Sequence, residues 1–123
     1  MPLGDSITKG SSSGVIPDNP HYYLSYRKAL RESLVSAGYD IDYVGGETDG
    51  DMVFADAQHE GHGGWLAGGI AYEIYGWLMD HPADIVLLHI GTNDINSDPD
   101  NTSPADVEDI LNEIDRYESN NDV

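Results

Sequence analysis

Cysteine is absent from the 123 residues, which excludes disulfides, thiolate metal sites and a cysteine nucleophile and leaves the redox compartment open. Positive charge is scarce as well: five Lys+Arg stand against 23 Asp+Glu, a formal net charge of −18. Phosphate backbones and anionic lipid are bound by clustered Lys and Arg, so this composition argues against nucleic acid and membrane as partners. No apolar run reaches the length of a membrane span, and the start of the chain does not read as a signal peptide. The length allows one domain with one modest core.

What is there begins at once. Met1-Pro2-Leu3 is a short apolar lead into Gly4-Asp5-Ser6. A glycine lets a strand turn sharply, and a serine just past the turn can present its hydroxyl and its backbone N–H together. That pairing suits a nucleophile, because attacking oxygen and oxyanion donor then come from one residue. By itself Gly-Asp-Ser is an ordinary strand-to-helix turn whose Asp and Ser cap a helix. A second serine pattern, Gly10-Ser11-Ser12-Ser13-Gly14, matches the nucleophile-elbow string G-x-S-x-G, but no apolar strand precedes it and it reads as a loop.

The remaining periodicities alternate in type. Tyr23, Tyr26, Leu30, Leu34 and Ala37 share one face of a helix predicted from His21 to Ala37, with Arg27, Lys28, Arg31 and Glu32 on its solvated faces. Tyr39 to Val44 alternates as a short edge strand. An acidic, glycine-rich connection runs from Gly45 to Gly63, long enough to imply function. Leu66, Ile70, Ile74, Trp77 and Leu78 stripe a helix from Trp65 to Asp80, weakened by Gly68, Gly69 and Gly76. Ile85 to Ile90 is a continuous apolar run, predicted as a strand covered on both faces with His89 packed in the core. Asn96 to Thr102 reads as a polar loop. Ser103-Pro104 caps a last helix to about Glu118, and Ser119 to Val123 reads as a linker whose strand is missing.

Strand, helix, strand, helix, strand, helix predicts an α/β fold: a flavodoxin-like doubly wound parallel sheet in three α/β/α layers. It is incomplete, with about three strands and three helices in a single domain, 1–123, that stops before its C-terminal part. In such sheets ligands bind at the carboxyl ends of the strands. Three segments fall there: Gly4-Asp5-Ser6, the run His59-Glu60-Gly61-His62-Gly63-Gly64-Trp65, and Gly91-Thr92-Asn93-Asp94. Glycines before a helix let backbone N–H groups approach a substrate oxygen, and an Asn past a strand end can aim a fixed amide donor into the cleft. No cofactor or metal is expected. Asp98 to Thr102 begins like a calcium loop but has Ser103 where the turn glycine belongs, and His59 and His62 lack the four-residue spacing of a helical ligand pair.

In these strings, with Ile7 in the Leu position, the chain resembles the GDSL, or SGNH, esterases and lipases. Pro2-Leu3-Gly4-Asp5-Ser6-Ile7-Thr8, Tyr26-Arg27-Lys28 and His59 to Trp65 look most similar to the carbohydrate-esterase branch typified by acetylxylan esterases. The resemblance implies Ser6 as nucleophile, an oxyanion hole from the Ser6 and Gly64 N–H groups and the Asn93 amide, and Asp5, His62, Gly63 and Asp94 against the substrate. It implies a small acyl ester or acetylated carbohydrate as substrate, and secretion. The family's Asp-x-x-His segment has no match here, which leaves the base unassigned, with His62 the one candidate substitute, and impaired or altered activity as the expectation. The alternatives are a glycan- or acyl-ligand-binding module without turnover, and an interaction domain of the same fold. Without a fourth strand, Ile85 to Ile90 forms an apolar edge, so self-association or completion by another chain is expected.

Overall fold

The computed structural model describes residues 1–11, 19–97 and 103–121. The strand everything pairs with is the first one, β1 (Pro2–Gly4), which lies between β2 (Glu60–Gly61) and β3 (Leu87–His89) in the order β2-β1-β3. Both pairings are parallel, with Gly4 opposite Gly61 on one side and His89 on the other. The helices are α1 (Ser6–Lys9), α2 (Tyr26–Ser36), α3 (Ala67–Asp80), α4 (Thr92–Ser97) and α5 (Ser103–Asn121). The predicted α/β architecture is present, with parallel strands joined by helical crossovers.

The alternation of side chains along β1 divides the layers. Met1 and Leu3 join Ala67, Ile70, Ile74 and Leu78 of α3 and Ile110 and Tyr117 of α5 in one buried cluster. Gly4 and Gly61 face the other way, toward α1. A methyl at Gly4 would stand 2.0 Å from the His89 carbonyl oxygen and 2.6 Å from Thr8 Oγ1, and one at Gly61 would stand 2.5 Å from the Lys9 nitrogen. The three glycines of α3 cost about 1 kcal/mol each, whereas Ile70, Ile74 and Leu78 bury essentially completely at about 2 kcal/mol each, so burial decides for helix. Tyr75 of α3 meets Tyr117 of α5 edge-on at 6.1 Å, and the Arg116 guanidinium lies 4.1 Å from the Tyr75 ring centre.

Several expectations are corrected. Tyr39 to Val44 is not a strand; the second strand is Glu60–Gly61. The Tyr43 N–H donates to both Asp56 carboxylate oxygens, at 3.0 and 3.1 Å, and the Tyr43 hydroxyl donates to the Arg27 carbonyl at 3.0 Å. That segment is therefore fastened by side chains in place of a ladder. The helix predicted from His21 starts at Tyr26, where Ser25 caps it; Pro20–Tyr22 is a separate 3₁₀ turn capped by Asn19. Arg27 is not solvated but fully buried. The run Ile85 to Ile90 pairs only over Leu87–His89 and is not covered on both faces: Ile85 is 68% exposed and His89 is exposed, beside the Tyr26 ring and outside the core. The reason is topological, since β3 is bonded to β1 alone among the described residues. After β3 comes α4 where a loop is predicted from Asn96, and α5 continues through Asn121 beyond the expected Glu118. The Ser12 to Gly14 part of the elbow-like string, the loop Asp98 to Thr102, and Asp122 and Val123 lie outside the described residues.

Among the described residues no strand pairs with the open side of β3, and Ile85 just before it is exposed. Such edges associate unless blocked by charge. In sedimentation velocity the chain is expected to show concentration-dependent association that Ile85→Lys reduces; a monomer at all concentrations would count against it.

Candidate active site

Asp5 opens the site. Its Oδ1 accepts the Ile7 N–H at 2.8 Å and caps α1, so Ser6 is the first helical residue, partly exposed, at the carboxyl end of β1. The helix is a single turn, closed by the Lys9 N–H to the Asp5 carbonyl at 3.0 Å and the Gly10 N–H to the Ser6 carbonyl at 2.8 Å. A lone turn has no stability of its own. Its carboxyl end is held by Arg27, which donates through Nε to Thr8 O at 2.9 Å and to Ser25 Oγ at 3.2 Å. The same guanidinium donates through Nη2 to Lys9 O at 3.0 Å and Asp49 O at 2.9 Å, and through Nη1 to Ala57 O at 2.7 Å. Burial lowers its pKa to about 10, which still leaves it charged at neutral pH. The Tyr26 hydroxyl meets Thr8 Oγ1 at 3.2 Å on the same side of α1.

The glycine segment is tied to the same strand end, for the His62 N–H donates to the Gly4 carbonyl at 2.8 Å. The chain then turns: the Trp65 N–H bonds the His62 carbonyl at 3.3 Å and Gly64 has φ +81°, the signature of a type II turn with glycine in its third position. The Gly64 N–H takes no part in the bond that closes this turn, and Gly63 and Gly64 are both exposed. The third segment locks onto the second. Asn93 Nδ2 donates to the Trp65 carbonyl at 2.9 Å, and Asp94 Oδ1 accepts the Ala67 N–H, also at 2.9 Å. Leu66, the N-cap of α3, offers no side-chain bond, so Asp94 supplies the cap from a distance. Gly4-Asp5-Ser6, His62 to Trp65 and Asn93-Asp94 are thus joined at one end of the sheet.

The chemistry available there is donor-rich. The second N–H of the Asn93 amide is not the one given to Trp65, and Asn93 is partly exposed. Asp5 and Asp94 are buried, and each spends one oxygen on a backbone N–H while its Oδ2 has no hydrogen-bond partner among the described residues. His62 Nε2 lies 2.8 Å from Oε2 of buried Glu60, and its ring stacks on Trp77 at 4.5 Å and tilts against Trp65 at 4.7 Å. Glu60 also accepts the Gly46 N–H.

Beneath β2 lies a network that periodicity does not reveal. His59 is wholly buried; its Nδ1 accepts the Gly61 N–H at 2.8 Å, so the neutral ring carries its proton on Nε2, 3.3 Å from Asp49 Oδ2. Lys9 Nζ lies 3.0 Å from that same oxygen and 3.0 Å from Glu47 Oε2. Burial, then the charges of Arg27, Lys9 and His62, push the His59 pKa down to about 2. Arg27 is the other residue missed; the polar Ser25 just before the helix is the one local signal that its stem turns inward. Among the described residues no group of three or more His, Asp or Glu side chains is arranged to hold a metal ion, and no helix is long and apolar enough to cross a membrane.

Because His59 is held neutral when folded but protonates near 6.5 when unfolded, the unfolded state binds the extra proton below that pH. Its contribution is complete above pH 6.5 and is lost as pH falls toward 2, at up to about 1.4 kcal/mol per pH unit. Urea titrations between pH 7 and pH 4 are expected to show a steeper loss of stability in the parent chain than in His59→Asn. Equal slopes would refute this.

No family model matches the chain. It is 34% identical over 119 residues to a multidomain esterase of Ruminococcus flavefaciens, an alignment taking in 79% of this chain and 14% of that protein. Its fold matches a family 3 carbohydrate esterase of Clostridium thermocellum with a TM-score of 0.82 and 35% identity, over 98% of this chain and 56% of that one. It also matches an acetyl esterase mutant crystallised with an acetate ion, with a TM-score of 0.76 and 30% identity over 95% of this chain and 55% of that one. A family 3 carbohydrate esterase from Talaromyces cellulolyticus gives a TM-score of 0.76 and 31% identity, again over 95% and 55%. The chain therefore spans about half the length of these solved relatives.

Proposed function

From the premise that this chain is a relative of the SGNH-type carbohydrate esterases of family 3, we propose that it carries the nucleophile and oxyanion hole of a serine ester hydrolase removing acetyl or short acyl groups from carbohydrate. The observation that carries the reading is the pair of bonds His62 N–H to Gly4 O and Asn93 Nδ2 to Trp65 O, which bind the serine turn, the glycine turn and the asparagine into one cluster. Ser6 Oγ attacks the acyl carbon. The negative charge that develops on the carbonyl oxygen is met by the Ser6 and Gly64 N–H groups and the remaining Asn93 N–H, donors already fixed in place before reaction. Collapse of the tetrahedral adduct expels the sugar hydroxyl, and water releases the acid from the acylated serine. Asp5 and Asp94 hold the two turns, and Gly63 and His62 flank the cleft.

The Ser6 proton passes to solvent water, and a water proton returns to the departing sugar oxygen. His62, the histidine nearest the glycine turn, already has its Nε2 against Glu60. Oxyanion stabilisation without a full triad still leaves about 10³-fold acceleration over water, so slow rather than absent acylation is expected. The engagement of His62 also favours a second reading, a module that binds an acyl or glycan ligand without turnover.

A fluorophosphonate probe separates the two. Labelling is expected at Ser6, abolished in Ser6→Ala and slowed about 10²-fold or more in Asn93→Ala. Absence of labelling, together with saturable binding of an acetylated oligosaccharide, would establish the binder instead.

A further inference from the structure

We propose that Arg27 is the positioning residue of the nucleophile: its buried guanidinium closes the carboxyl end of α1 and thereby fixes the turn that presents Ser6. This rests on the reading of Ser6 as nucleophile, although the mechanical part of it can be measured without any reaction.

Three side chains grip α1 from below, and they are not equivalent. Lys9, itself the last residue of α1, anchors it through Glu47 and buried Asp49, and Tyr26 touches the Thr8 hydroxyl. Of these three, Arg27 is the one that bonds the helix backbone, at Thr8 O and Lys9 O of its carboxyl end, and it is fully buried. The last carbonyls of any helix lack partners within the helix, and a cation there also complements the helix dipole. In a four-residue helix those orphan carbonyls belong to the same turn as the first residue, so restraint at one end is restraint at the other. The planar fork meets the carbonyls of Ala57 and Asp49 as well, and Phe54 lies 5.4 Å from its centre. Lysine has one nitrogen and cannot span this set of acceptors.

The test is Arg27→Lys in the whole chain, read by hydrogen exchange and by fluorophosphonate kinetics. Exchange of the Lys9 and Gly10 amides is expected to accelerate about tenfold or more, from the loss of charge-assisted bonds, while Ile74 and Leu78 of α3 change less than about twofold. The maximal labelling rate at Ser6 is expected to fall by a similar factor with the half-saturating probe concentration unchanged. Unchanged protection in α1, an equal loss in α1 and α3, or normal labelling of the folded variant would each overturn the proposal. A parent chain that does not label at all would defeat the nucleophile reading alone, and exchange would then decide whether Arg27 holds α1. Should Arg27→Lys fail to fold, Phe54→Leu is expected to give the same α1-selective pattern at about threefold, and equal effects on α1 and α3 would refute it.

Discussion

One buried cation organises this structure. Taking a guanidinium out of water costs several kcal/mol, and no carboxylate oxygen is among the acceptors of Arg27. The cost is offset by donors spent on four backbone carbonyls and one hydroxyl, bonds that are stronger for being charge-assisted. Those carbonyls come from α1, a single helical turn, and from the long acidic connection, whose ladder is one isolated bridge between Glu47 and His59. That centre adds to the other ties that place both stretches against α2, Tyr26 on Thr8 and Arg31 on Asp56. Burial first, and then the charges of Arg27 and Lys9, keep His59 next door neutral, since a third cation there is electrostatically opposed.

The sheet obeys the same economy of length. Three strands of two or three residues leave little ladder to share. The fold is carried by the contact between α3 and α5, with Met1 and Leu3 inserted beneath them. The two faces of β1 therefore have opposite characters: one is packed with branched side chains, and the other is stripped to glycine so that α1 can lie directly on the backbone. The serine turn is close to the sheet because nothing stands between them.

Much of this was legible in the sequence. The order of elements, the parallel sheet, the α3 stripe and the three segments at the strand ends follow from period and punctuation, which are local properties. Tyr39 to Val44 misled because its alternation is real but the Tyr43 N–H is claimed by Asp56, a partner thirteen residues away. Arg27 misled because periodicity assigns charge to water and cannot see carbonyls gathered from three distant stretches. His89 misled because an apolar run fits an edge strand as well as a central one. Each error lies in a tertiary partner that no window of adjacent residues contains.

Asn93 and Asp94, neighbours in sequence, reach across to residues 65 and 67 and bracket the start of α3. Since Leu66 gives that helix no cap of its own, its first turn and the asparagine donor are secured by one short segment, six residues of α4. Fraying of α4 would then release both together, as a single cooperative opening unit lying well below global unfolding. Warming would then loosen the start of α3 and the Asn93 amide while the core between α3 and α5 remained intact, so local opening and global melting would be separate transitions, the local one first.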